Sequence, residues 1–504
     1  RRRTPDAGRR TTVVSRLSSI VIQSVIVFGL AALIAFWWYW RNYQLYGDWL
    51  GWSTFVAIVG PRPQPATLWQ LWGERVGFVQ AYWGLFGGVS VPMPAWTYTL
   101  LNTAAGLALP GLGWGAVRAL RRPVALTAVA QWGLLLAWIG LLFVGLVRWT
   151  SLTWASQGRL IFPALSAISL LIAAGLWALW PRLPALLAVF MAGLAAAVPF
   201  AVIAPHYAPP PELTPAEIAA IPDRLDADFG GELTLLGYDL RTASVAPGGS
   251  VRLTLYWRSQ IAMDRDWSIF VHLVDQDEIL VAQRDRYPGQ GLLATTLLRP
   301  GQTWADEYVI PVPAGAYSPA DLRVRAGVYD LADGVRLPVA AGGEWVEFGA
   351  VALAGQVVET RLGPVPNALR QNFGGQIELT GYALDKRVLR AGESLTLTLY
   401  WRALGPIRAN YSVSARVRGE DQARWAARDA WPQDGAAPTA TWRAGELLAD
   451  PYSLTLDPAT PPGQHFVEVV VYDPETLAPL PLWSREGYPT DGQSVLLGRL
   501  WVTP

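Results

Sequence analysis

Five stretches of this chain run for about 20 residues or more without a charged side chain, which is the length a helix needs to cross a bilayer core. They are Leu17–Trp40, Trp96–Val117, Val124–Val147, Leu160–Trp180 and Leu183–Ala204. The pattern predicts five membrane-spanning helices. After Ala204 the period changes from long apolar runs to short alternating ones bounded by Gly, Pro and Asp, the signature of antiparallel strands. In Val251–Trp257 the residues Val251, Leu253, Leu255 and Trp257 share one face, and Arg252, Thr254 and Tyr256 share the other.

The segment between the first two spans is long, rich in Trp and only partly polar. A helical pattern over Leu68–Phe86 carries Glu74, Arg75 and Gln80, which suits a helix lying in the interface better than a crossing. A sixth crossing there would reverse the side on which the C-terminal half lies.

The alternating half is built twice. Phe229-Gly230-Gly231 returns as Phe373-Gly374-Gly375, Leu236-Gly237-Tyr238 as Thr380-Gly381-Tyr382, and Leu253 to Arg258 as Leu397 to Arg402, at an offset of 144 that slips to 143 at Tyr329 and Tyr472. So long a period indicates a duplicated domain, since solenoid repeats run about 20 to 50 residues. The expected fold is a polytopic helical membrane region followed by two tandem all-β, immunoglobulin-like sandwiches. The expected order is a cytoplasmic basic segment over 1–16, a membrane region over 17–205 with its outer loop at 41–95, and a linker over 206–227. A sandwich over 228–355, a second linker over 356–371 and a second sandwich over 372–504 complete it.

Charge divides the chain at the same place. Residues 1–206 hold 15 Arg against three acids, and the remainder holds 24 Arg and one Lys against 36 acids, so a net charge of +1 conceals two unlike halves. Around the five spans, ten Arg fall on the side of the N-terminus and five on the other: Arg41, Arg62, Arg75, Arg148 and Arg159. The positive-inside rule then puts the N-terminus in the cytoplasm and the sandwiches outside a cell membrane. The first apolar run ends in Trp37-Trp38-Tyr39-Trp40-Arg41, an interfacial belt rather than a cleavage site. The chain opens on Arg1-Arg2-Arg3 without Met and is expected to be the C-terminal part of a longer polypeptide.

With no Cys and three scattered His (His206, His272, His465), a disulfide framework, a thiol nucleophile and a His- or Cys-rich metal centre are excluded, and neither metal nor cofactor is expected. Nucleotide loops, a nucleophile elbow and a zincin helix are also missing. Trp257 and Trp401 fall on the inward face of their strands, which favours a core role over sugar stacking. His272 is expected on the surface beside buried Ile269, Val271 and Leu273. Asp264, Asp266, Asp275 and Asp277 offer oxygen ligands of a calcium-binding kind, but the second copy has Arg408, Asn410, Gly419 and Asp421 there, so solvated loop charges are expected. Nucleic acid is not an expected partner, because the soluble half is acidic.

Candidate chemistry concentrates on the outer membrane face. Arg148 and Arg159 bracket Trp149–Gly158, and a guanidinium at headgroup depth either snorkels to lipid phosphates or binds one phosphate bidentately. Arg41-Asn42 with Tyr46-Gly47-Asp48, Tyr82-Trp83-Gly84-Leu85-Phe86-Gly87 with Pro92 and Pro94, and Gln157-Gly158-Arg159-Leu160-Ile161-Phe162-Pro163-Ala164 occur in that order. Together these motifs resemble the later membrane segments of bacterial GT-C-type, family 39-like glycosyltransferases over about residues 17–205. Leu160 stands where an aromatic is usual and Gly88 where a Trp is common.

The resemblance implies a polyprenyl-phosphate-linked sugar as donor and transfer on the outer face. It also implies a catalytic carboxylate from a first outer loop that precedes this chain, so no catalytic residue is assigned. Arg159 and Arg41 are the expected donor-phosphate ligands, with Gln157, Asp48 and Arg148 in support. The expected partners are membrane lipid, the polyprenyl-phosphate sugar, and a cell-envelope acceptor or partner membrane subunits. The competing expectation is a non-enzymatic, membrane-anchored surface or scaffold protein whose tandem sandwiches bind envelope polymer or protein.

Overall fold

The computed structural model describes residues 7–62, 65–121, 123, 125–484, 489–490 and 492–504. Arg1-Arg2-Arg3, the start of the expected basic segment, and Arg122 of the inner-face count lie outside the described residues. Two compact units are formed, residues 1–198 and 199–504.

In the first unit the helices are α1 (Ala7–Tyr46), α2 (Trp52–Val59), α3 (Leu68–Gly73), α4 (Arg75–Trp83), α5 (Ala95–Leu120), α6 (Leu126–Leu152), α7 (Leu165–Leu179) and α8 (Leu183–Val198). Five helical stretches are long and apolar enough to cross a membrane: Val25–Tyr46, Ala95–Leu120, Leu126–Leu152, Gly158–Leu179 and Leu183–His206. They coincide with the five apolar runs of the sequence, because a helix satisfies its own backbone where no water is at hand. α5 and α7 meet backbone to backbone: a Cβ at Gly111 would lie 2.0 Å from the Gly175 carbonyl oxygen, and one at Gly175 2.1 Å from that of Ala108. Small residues at such a crossing are what let dispersion contacts hold apolar helices together.

The single helix expected over Leu68–Phe86 is instead two. Thr67 caps α3 reciprocally with Gln70, and Gly73, a poor helix former, ends it. The carboxylate of Glu74 is drawn to Arg62 of the preceding loop, with Nη2 at 2.7 and 2.9 Å from its two oxygens. Glu74 therefore pairs off its helix, not along it. Strands β1 (Leu85–Phe86) and β2 (Val91–Pro92) then form a hairpin that leads into α5.

The second unit contains two β-sandwiches. In sandwich 1 the strands are β3 (Asp223–Phe229), β4 (Leu233–Leu240), β5 (Ser244–Val245), β6 (Ser250–Ser259), β7 (Trp267–Val274), β8 (Leu280–Arg286), β9 (Thr303–Pro311), β10 (Ala320–Asp330) and β11 (Val346–Leu353). They form sheets of order β3-β4-β6-β9 and β5-β11-β10-β7-β8. A hairpin of β12 (Val358–Thr360) and β13 (Gly363–Val365) follows, within the stretch expected as a linker.

Sandwich 2 comprises β14 (Gln371–Phe373), β15 (Ile377–Leu384), β16 (Val388–Arg390), β17 (Ser394–Ala403), β18 (Ser412–Arg418), β19 (Arg424–Ala430), β20 (Leu447–Thr455), β21 (Gly463–Tyr472), β22 (Leu482–Trp483) and β23 (Val495–Thr503). Its sheets run β20-β17-β15-β14-β22 and β16-β23-β21-β18-β19, so the order repeats with β22 as an addition.

The repeated motifs have local reasons. Gly230-Gly231 and Gly374-Gly375 all have φ between 61° and 72°, the left-handed conformation that glycine adopts without a Cβ penalty, in turns closed by Glu232 N to the Phe229 carbonyl at 3.0 Å and Gln376 N to the Phe373 carbonyl at 3.1 Å. Alternation puts Val251, Leu253, Leu255 and Trp257 in one core and Leu395, Leu397, Leu399 and Trp401 in the other. Trp257 lies opposite Trp304 in the register, their rings 6.5 Å apart and stacked.

Asp275 is fully buried, which corrects the expectation of a solvated loop charge. Its Oδ2 meets Arg387 Nη1 of sandwich 2 at 2.7 Å, and its Oδ1 accepts the backbone N–H groups of Asp277 and Ile279 at 2.9 and 3.1 Å. Asp277 pairs with the other arm of the same guanidinium. Arg499 Nη1 donates to the Leu280 carbonyl at 2.6 Å and the Tyr382 hydroxyl to the Gly315 carbonyl at 2.7 Å, so the two sandwiches are joined by buried polar contacts.

Candidate functional site

The last turns of α6 and the segment after it bring aromatic side chains beside polar ones. Trp149 packs against Trp52 and Phe55 of α2, with ring centroids 4.6 and 5.7 Å away. Beyond α6 the chain turns through Thr153–Gln157 into a 3₁₀ helix, Gly158–Ala164. That turn is held by Arg62, whose Nε donates to the carbonyls of Thr150 and Thr153 at 2.9 Å each and whose guanidinium lies 4.4 Å over the Trp154 ring. Gly158 is required there: a Cβ would lie 2.1 Å from the Phe78 carbonyl oxygen of α4.

The result is an open groove of about 690 Å³ with Trp52, Phe55, Trp149 and Trp154 on its walls and Gln157 and Arg159 at its polar end. Arg159 is exposed. Among the described residues no carboxylate lies within ion-pair reach of it, so its planar fork of donors remains open. Such a groove matches an amphiphile that carries an anionic head and a hydrocarbon chain.

Of the residues expected from sequence, the groove brings together Gln157 and Arg159. Arg41, Asp48 and Arg148 do not line it; Arg41 and Arg148 are exposed, while Asn42 beside Arg41 is 4% exposed and packs under Gly51. Asp48 spends its carboxylate locally, accepting from Leu50 N and Ser53 N at 3.0 Å each. The backbone bonds from Ser53 and Leu50 hold its carboxyl below the usual range, which disfavours a role as proton acceptor. The Tyr82-to-Pro94 motif anchors the loop: Trp83 Nε1 donates to Asn102 Oδ1 at 2.8 Å, and the Tyr98 hydroxyl to the Gly84 carbonyl at 2.6 Å.

Sequence reasoning missed Arg62, Trp52, Phe55 and Trp154. The density of Trp in the outer loop was the available signal, but which rings share a wall depends on how the loop folds back on α6.

In the sandwiches, Trp257 and Trp401 are both fully buried. His272 is half-buried rather than on the surface, with Nε2 3.3 Å from Asp285 Oδ1. Among the described residues no group of three or more His, Asp or Glu is arranged to hold a metal ion.

No protein-family model matches the chain, and no curated protein matches it. Among solved structures, the crystal structure of a Bacteroides uniformis beta-glucuronidase is similar over 45% of this chain at 12% identity, with a TM-score of 0.17. This chain spans 25% of that one, and a likeness so slight says nothing of activity.

Proposed function

We propose that the membrane unit binds a polyprenyl-phosphate-linked sugar at the outer membrane face, as the donor-handling part of an integral-membrane glycosyltransferase of the GT-C kind. The prenyl chain lies along the aromatic groove and the phosphate sits on Arg159, with Gln157 beside it. Arg41 and Arg148 add positive potential at headgroup depth, the N-terminus is cytoplasmic, and the sandwiches are exoplasmic modules that bind or space the acceptor.

One observation carries the reading: an exposed guanidinium without a carboxylate partner among the described residues stands at the end of a groove walled by Trp52, Phe55, Trp149 and Trp154. A charge-assisted phosphate contact contributes about 1.5–3 kcal/mol, equivalent to about 10- to 100-fold in affinity. The test is photo-crosslinking of a diazirine-bearing polyprenyl phosphate to the full chain in nanodiscs. Arg159→Ala is expected to weaken labelling by that factor and Arg159→Lys by less; equal labelling of all three proteins sinks the proposal.

A second reading is favoured by the commitment of both outer-loop acids, Asp48 to backbone amides and Glu74 to Arg62. With neither free as a base, the chain serves as a membrane-anchored surface or scaffold protein that binds such lipids or envelope polymer without turnover. Sugar transfer from a polyprenyl-phosphate donor by the purified chain excludes this second reading.

A further inference from the structure

The two sandwiches treat one sheet edge differently. Ahead of sandwich 1 the linker runs as an arm beside β9, an edge strand of the sheet β3-β4-β6-β9. Glu212 forms an antiparallel bridge with Trp304, Leu213 N donates to the Thr303 carbonyl at 3.1 Å, and Glu212 Oε2 pairs with Arg299 Nη2 at 3.1 Å. Under this cover Thr303 is 3% exposed and Trp304 is fully buried. The arm supplies backbone partners that an edge strand otherwise lacks.

Sandwich 2 repeats the seat. Its corresponding edge strand is β20, and Arg443, Leu447 and Leu448 stand at the 144-residue offset from Arg299, Thr303 and Trp304. The loop before the strand is built alike: Gly445 N donates to the Ala403 carbonyl at 2.8 Å, as Gly301 N does to that of Ser259. Glu446 takes the Arg443 backbone N–H as Gln302 takes that of Arg299.

The arm itself does not repeat. The residues at the same offset from Glu212 and Leu213 are Gln356 and Val357, and Gln356 is held against sandwich 1 instead, its N donating to Ser318 Oγ and its Nε2 to the Pro247 carbonyl at 3.4 Å each. Leu447 and Leu448 are accordingly only half-buried. Among the described residues no backbone N–H reaches the Leu447 carbonyl across that edge, and no carboxylate pairs with the exposed Arg443 guanidinium. The open stretch ends at Ala449, whose carbonyl accepts from Gln433 Nε2 at 3.0 Å. Gln433 replaces Gly289, against which Pro210 of the arm packs, so a proline ring has no seat here.

We propose that this edge of sandwich 2 binds an extended acidic segment of a partner polypeptide, which adds antiparallel to β20 and sets a carboxylate on Arg443, as Glu212 and Leu213 do on sandwich 1. In strand addition of this kind, main-chain bonds give affinity and side-chain contacts give selectivity. Charge selects an acid, because Arg443 keeps the place of Arg299 without the carboxylate that Arg299 holds. The proposal goes beyond the lipid-binding role of the membrane unit and does not rest on it.

The chain has no Cys, so one introduced thiol reports a site without background. Full-length protein carrying Ala444→Cys, in the loop that leads into β20, is equilibrated with the peptide acetyl-Ala-Glu-Leu-Thr-Cys-amide in a glutathione redox buffer, and the mixed disulfide is measured by intact-mass spectrometry. Pro300→Cys, at the equivalent position beside the edge already covered in sandwich 1, is the control. Replacing the peptide Glu by Gln should lower trapping at Ala444→Cys about threefold, the scale of an exposed ion pair, and Arg443→Ala should erase that difference. Methylating the peptide Leu nitrogen removes the donor to the Leu447 carbonyl and should lower trapping about fivefold, the scale of one hydrogen bond. Trapping at Ala444→Cys should therefore exceed that at Pro300→Cys by about 15-fold, the product of the two. Equal trapping at the two thiols, of the Glu and Gln peptides, or of the methylated and parent peptides overturns the proposal, and the peptide comparisons need no second change to the protein.

Discussion

Replacing Arg387 by Ala tests how the two sandwiches are held together. Asp275 is fully buried, with one oxygen satisfied by two backbone amides and the other by Arg387 alone, whose own side chain is 6% exposed. Removing the guanidinium leaves a desolvated charge without its partner, a change that costs about 3–5 kcal/mol. At 1.4 kcal/mol per factor of ten, opening of the junction becomes about 100- to 4,000-fold more frequent. The Leu280 amide reports this directly, since it donates to Gln464 Oε1 of the other sandwich at 3.0 Å.

Native-state hydrogen exchange of the full chain should show Leu280 exchanging faster by that factor, while Val271 in the centre of its sheet stays protected. Arg387→Ala/Asp275→Ala removes both charges and should recover part of the loss. An acceleration below tenfold at Leu280, or a double variant worse than the single, refutes the reasoning.

Three further outcomes are expected. Burial raises the carboxyl of Asp450 above its ordinary range despite bonds from Gln433 N, Tyr452 and Trp401. The resulting stability is complete below the unfolded value of about 3.9 and is lost as pH rises through the folded one. Asp450→Asn should therefore gain in melting temperature relative to the parent as pH rises above about 4, and parallel curves would exclude the argument. Gly158→Ala drives a methyl into the Phe78 carbonyl at 2.1 Å; α4 and the turn must separate, and lipid labelling at the groove should fall with it, whereas Gly133→Ala, which meets nothing within 4 Å and does not line the groove, should not change it. Arg62→Ala frees two carbonyls and strands Glu74, at a cost of about 3–5 kcal/mol, so limited proteolysis should cut the loop before Glu74 in the variant and spare it in the parent.

Much of the architecture was legible in the chain because it depends on short-range periodicity. A charge-free run as long as the bilayer is thick reads as a span wherever it occurs, and alternate residues of Val251–Trp257 face opposite sides of any strand. The duplication was legible too, since Phe-Gly-Gly and Leu-Thr-Leu-Tyr-Trp-Arg return at a constant offset. One break in this success is instructive: the helical pattern across Leu68–Phe86 is interrupted at Glu74 by a partner 12 residues upstream, which no local period contains.

What decides function in this protein is long-range in the same sense. Arg62 reaches Thr153 across 91 positions and Arg387 reaches Asp275 across 112, so neither contact leaves a trace in a window of sequence. Gln157 and Arg159 are polar residues at a helix start until α2 folds Trp52 and Phe55 onto Trp149 and supplies the apolar wall. Across the strands of the sandwiches likewise, Phe270 meets Gly327 in one copy and Ser414 meets Val470 in the other. Periodicity specifies which side of a strand or helix meets apolar surroundings; only the folded chain specifies which two side chains meet each other, because contact energy depends on distance in space and not along the chain.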